Sequence, residues 1–130
     1  MIEDIQLEDT TSVEKNILFS AYAALYCISL KHAFDLADKS QAVPSSIMFS
    51  ENDIEAAKLL STMVNGRTLK QKNPFKEGSL PWIAWIVARL GAWSGYSSQS
   101  RPGYTTFKTG LDNFFCKCEM LRIVKDVYKG

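Results

Sequence analysis

Few side chains in this sequence are of the kinds that carry out chemistry, and their spacing limits what they can do. Cys116 and Cys118, separated by Lys117, could act as thiolate ligands if another pair of ligands lay elsewhere, but Cys27 is the sole remaining thiol. Structural zinc wants four ligands, often with two residues or more between paired cysteines. The pair therefore reads as semi-buried helix cysteines. His32, the single histidine, precedes Asp35 and Asp38 on the same predicted helix; a satisfied or partly exposed imidazole accounts for it without acid–base work. Asp35 and Asp38, and likewise Glu51, Asp53 and Glu55, sit near predicted helix ends, where capping and solvent exposure account for carboxylates. No catalytic, metal-binding or cofactor-binding residue is assigned, and no small-molecule substrate.

Arg89 is different. It is the only charged side chain between Ser79 and Ser100, in the stretch "SLPWIAWIVARLGAWSGYSSQS". A guanidinium embedded in an apolar helix must find a carboxylate, a set of carbonyls or a phosphate, and pairing inside the domain is the expectation. The remaining charge is segregated. Glu3, Asp4, Glu8, Asp9 and Glu14 lead the chain without a base, whereas Arg67, Lys70, Lys72 and Lys76 follow one another without an acid. Both read first as solvated surface. The basic loop, with Arg101, is also where a DNA phosphate backbone could be met, although no groove-reading motif accompanies it.

The elements that must position these groups are helical. At 130 residues, 46% hydrophobic, 22% charged and net +1, the chain has the composition of one ordinary globular domain and lacks the strongly basic balance of a protein held to nucleic acid by charge alone. Thr11 to Glu14 has capping-box spacing. Behind it Val13, Ile17, Ala21, Ala24, Leu25, Ile28 and His32 recur with helical period, predicting a long helix to about Asp38. Ser40 to Ser50 reads as a loop, and "VPSSIMF" is too short and proline-interrupted for a strand. Ser50 to Asp53 caps a second helix, with Ile54, Ala57, Leu60 or Ser61, and Val64 on one face and Asn65-Gly66 as its stop.

Arg67 to Glu77 reads as a long loop, whose length raises a functional question. Ser79 caps a third helix with Pro81 in its first turn. This helix is apolar nearly all round, which predicts a central place, and Gly91 and Gly95 end it. From about Thr105 to Tyr128, Phe107, Leu111, Phe114, Cys118, Leu121, Lys125 and Tyr128 form a heptad seam. Phe115, Met120 and Ile123 lie off it, so the last helix has more apolar surface than one packing face needs. The fold class expected is all-α, a single small domain of about four main helices with a long C-terminal one. The apolar windows reach roughly ten residues, short of the ~20 that span a bilayer. Three cysteines, with no signal peptide ahead of them, suggest a cytoplasmic protein.

The stretch from Gly78 to Leu111 resembles the C-terminal region of bacterial DDE cut-and-paste transposases of the insertion-sequence type. The matching elements are Gly78-Ser79-Leu80, Trp82, Ala88-Arg89-Leu90-Gly91, Gly95-Tyr96 with the polar loop to Pro102-Gly103, Phe107 and Gly110-Leu111. Members of that family typically have a second glycine where this chain has Ala92, and commonly a tryptophan in place of Phe107. Upstream, "IEDIQLED" is similar to the segment that follows the family's catalytic helix, and the Val13 helix and "FSENDIEAAKLL" fall in the family's order.

The resemblance implies that residues 1–130 are the C-terminal helical domain alone, without the ribonuclease-H-like catalytic domain. In the family's signature an Arg stands three residues after a Tyr, and no tyrosine here has one. A chain of that kind would not be an enzyme, would need no cofactor, and would mediate contact between transposase protomers in the transposition complex. Self-association through Leu111, Phe114, Phe115, Cys118 and Leu121 is then expected, or pairing with full-length transposase, which would make a separate chain of this kind an inhibitor. The tryptophans would be structural and Arg89 an internal tie. The alternative role is accessory, non-specific DNA-backbone binding through Arg67, Lys70, Lys72, Lys76 and Arg101. A metal-dependent nuclease is the third and least supported class.

Overall fold

A computed structural model describes residue 14 and residues 21–65, 72–95 and 101–129. The capping box at Thr11, the stop at Gly66, and Arg67 and Lys70 lie outside the described residues. Among those described, the chain is all-α. Helix α1 covers residues 21–35 and breaks at Leu36 before the short α2, Ala37–Ser40. A single 3-10 turn, Ser45–Ile47, leads to α3, Glu51–Val64, then α4, Leu80–Leu90, and α5, Tyr104–Lys129. No helix among the described residues is long and apolar enough to cross a membrane.

The caps are where local chemistry puts them. Ser50 Oγ accepts from the Asp53 amide at 3.3 Å, and Ser79 Oγ accepts from the Trp82 amide at the same distance, so each hydroxyl satisfies an amide that lacks an intrahelical partner. Pro81 sits in the first turn of α4, where a missing N–H costs nothing. Leu80 to Ala88 are all buried. With no polar side, α4 forms the axis of the domain, and α3, α5 and the 41–49 segment close round it.

Aromatic rings fill the space between these helices in two nests. Phe34 meets Trp93, Phe75 and Phe107 edge-on, with Trp93 in turn edge-on to Trp85. Phe49 and Phe114 pack with Tyr26 and Phe115, and the Tyr26 hydroxyl donates to the Met48 carbonyl at 2.9 Å. Edge-to-face geometry sets the positive ring edge against the negative face of its neighbour and adds to burial. The "VPSSIMF" segment contributes Phe49 and a single bridge, Pro44 to Ser79. Ser45 donates to the Gly78 carbonyl from both its amide and its hydroxyl.

Helices α4 and α5 touch backbone to backbone. A side-chain carbon on Gly110 would overlap the Val87 carbonyl, and one on Gly91 would overlap the Thr106 carbonyl. The two glycines thus set how closely the last helix lies against the central one.

The end of α4 departs from the sequence expectation in an informative way. Ala92, with φ 71°, carries the left-handed conformation. The Trp93 amide donates to the Ala88 carbonyl and the Ala92 amide to the Arg89 carbonyl, both at 3.1 Å. These bonds make a complete Schellman cap whose left-handed position usually belongs to glycine. An alanine there forces its Cβ toward a carbonyl oxygen. Ala92→Gly is therefore expected to stabilise the fold by roughly 0.5–1 kcal/mol, the relief of strain exceeding the extra chain entropy. A urea midpoint unchanged or lowered in the variant would refute this.

Candidate protein-interaction surface

The predicted seam of α5 is real but faces inward. Leu111 is 4% exposed and Phe114 0%, and both belong to the core around α4 with Phe107. This corrects the assignment of Leu111 and Phe114 to a protomer contact: their side chains are spent within one copy of the chain. Cys118 and Leu121 are half-buried, beside Asn52, Ala56 and Leu59 of α3 in the shallow cleft between the two helices. Phe115 is partly exposed and partly held by the aromatic nest. Toward its end the seam emerges from the core, with Tyr128 exposed and Lys125 donating to Glu55 at 3.0 Å.

The opposite side of α5 carries a second apolar stripe. Met120, Ile123, Val124 and Val127 are between 49% and 72% exposed, and Cys116 is exposed one turn before them. At 3.6 residues per turn, positions 116, 120, 123 and 127 line one side, turned away from Phe114, Cys118 and Leu121. Sequence reading found Met120 and Ile123 off the seam; Cys116, Val124 and Val127 complete the set, and their shared heptad spacing was visible in the sequence.

Helix α1 shows a similar inversion. Of its predicted packing side, Val13 and Ile17 lie outside the described residues and Ala21, Ala24, Leu25, Ile28 and His32 are exposed; among the described residues it buries Cys27, Leu30 and Ala33. A groove of about 650 Å³ runs between this helix and the start of α5, lined by Ala24, Cys27, Ile28, Tyr104, Lys108 and Asp112 among others.

The groups with chemical potential are placed structurally. Arg89 Nε donates to the Val64 carbonyl at 3.0 Å and its Nη1 to the Trp93 carbonyl at 2.7 Å, while the guanidinium lies 5.9 Å from the Trp85 ring centroid. It joins the last turn of α3 to the segment after α4, the internal tie that its isolation demanded. Gly95, with φ 84°, packs against this guanidinium, and a Cβ there would press on it.

Burial pushes the Cys27 thiol up, with the Asp112 carboxylate adding to the rise. Cys118 is pushed up to about 12, first by burial and then by Asp53 beside it. Both keep their protons at neutral pH, and the thiolate is the reactive form. His32 is exposed. Asp35 pairs with Lys31 at 3.0 Å. Among the described residues no three His, Cys, Asp or Glu side chains come together in a way that could hold a metal ion.

Of the basic residues, Lys72 and Lys76 are exposed. Their loop is pinned from within: Asn73 accepts from the Phe75 amide, donates through Nδ2 to the Trp82 carbonyl and, through its own amide, to Asn65 Oδ1. Arg101 reaches the end of α1, where Nη1 donates to the Asp35 carbonyl at 3.3 Å and lies 3.7 Å from its carboxylate.

No protein-family model, curated protein or solved structure matches this chain. The surface itself must therefore carry the functional reading.

Proposed function

We propose that this chain is a non-catalytic C-terminal domain of a DNA transposase, and that it joins protomers through the outer stripe of α5. The supporting observation is the stripe of Met120, Ile123, Val124 and Val127, which its own domain leaves in water. Contiguous exposed apolar surface on a helix whose other side is already buried marks a place for a partner. The transposase assignment draws on the resemblance of the Gly78 to Leu111 stretch, and the stripe supplies the surface such a domain needs.

Sedimentation equilibrium over a wide concentration range tests the contact. The parent chain should form a concentration-dependent dimer, and Ile123→Asp should remove it without loss of helical content. A monomer at every concentration would overturn self-association. Phe114→Asp is unsuitable for this purpose, since it places a carboxylate in the core. Mixing with a full-length transposase of that type should lower transposition, as expected if the chain enters mixed complexes. Contact with DNA phosphates, the alternative, draws on Lys72, Lys76 and Arg101 among the described residues, all three exposed.

A further inference from the structure

We infer that the partner on the α5 stripe is a second copy of this chain, with the two helices running parallel about a two-fold axis beside Cys116. This rests on the self-association reading above and adds the direction of pairing. Placing Met120 and Val127 at the a positions of a heptad puts Cys116 and Ile123 at d and Val124 at e. The flanks are then unequal. Asp112, Glu119 and Asp126 occupy the successive g positions, whereas Lys117 shares the e edge with Val124. Asp112, Glu119 and Asp126 are all exposed.

Direction follows from which edges meet. In a parallel pair each g position faces the e position five residues further along the partner, so Asp112 of one copy meets Lys117 of the other, twice by symmetry. Glu119, which Arg122 engages within its own chain, meets apolar Val124. In an antiparallel pair g meets g, and the acidic rows oppose each other. Like charges placed face to face act against that arrangement. The α3 side leaves the stripe free, because the Lys125 to Glu55 contact lies on the opposite side of α5.

Two measurements separate the possibilities. Asp112→Lys and Lys117→Glu should each weaken dimerisation roughly fivefold by setting like charges together, and the double exchange should restore it. A short bismaleimide should join two chains through Cys116, and Cys116→Ser should abolish the product. In an antiparallel pair Cys116 lies opposite Val127, leaving the two thiols about 17 Å apart along the axis at 1.5 Å per residue, beyond the reagent's reach. A dimer weakened by neither Asp112→Lys nor Lys117→Glu and not joined at Cys116 would overturn the parallel arrangement while leaving self-association standing. Absence of any dimer in the parent chain would instead remove self-association itself.

Discussion

Gly110→Ala should destabilise the fold by about 2–4 kcal/mol, although alanine is the better helix former by about 1 kcal/mol. The new methyl meets the Val87 carbonyl and crowds the Val87 side chain. Neither can yield readily, since Val87 lies within the buried helix α4. Helix α5 must move outward, loosening Phe107, Leu111 and Phe114 from the core. Urea unfolding monitored by tryptophan fluorescence reads the loss directly. Gly103→Ala is the control, as a Cβ there meets nothing within 4 Å, and it should leave stability within about 0.5 kcal/mol. Equal midpoints for both variants would mean that α4 and α5 do not touch at this point.

Arg89→Met should cost about 3 kcal/mol. The change preserves much of the side chain's length and removes two hydrogen bonds from a charged donor, at 3.0 Å to Val64 and 2.7 Å to Trp93; bonds of that kind contribute about 1.5–3 kcal/mol each before the carbonyls find water. Arg89→Lys should recover less than half of the loss, because a single ammonium on a flexible stem does not reproduce the planar fork that reaches both carbonyls. Denaturant midpoints of the two variants check both statements. A lysine variant as stable as the parent would show that charge alone suffices. Losses in the Arg89 and Gly110 variants should add only approximately, since both act on the packing of α4.

How much of this was legible in the sequence varies by element. Helices α3 and α4 could be placed nearly to the residue because Ser50 and Ser79 are followed three residues later by amides that their hydroxyls cap. Apolar residues all round α4 left it no choice but the centre. The inward side of α1 was not legible. That helix has apolar residues on two sides, and periodicity reports a helix without saying which side is covered. For α5 the same ambiguity was resolved the wrong way at Leu111 and Phe114: the stronger seam went to the core, leaving the weaker one outside. The left-handed turn at Ala92 was not legible from the alanine itself, which carries no turn signal, whereas Gly91 and Gly95 on either side of it are the usual helix stops. Arg89 announced a need for partners, but only the three-dimensional arrangement brings Val64 and Trp93 to it.

The burial of α4 has a consequence for how the protein is made. Synthesis runs from α3 through α4 to α5, and Phe107, Leu111 and Phe114, which complete the cover of α4, are translated after it. The ribosomal exit tunnel still encloses α5 when α4 emerges from it, so Trp82, Ile83, Trp85, Ile86 and Val87 reach solvent before Phe107, Leu111 and Phe114 can cover them. Hydrophobic runs of that kind are what chaperones hold and aggregates recruit. Folding of this domain must wait for α5 to leave the ribosome, so slow release of that helix would prolong the interval in which the tryptophan-rich helix has nowhere to go.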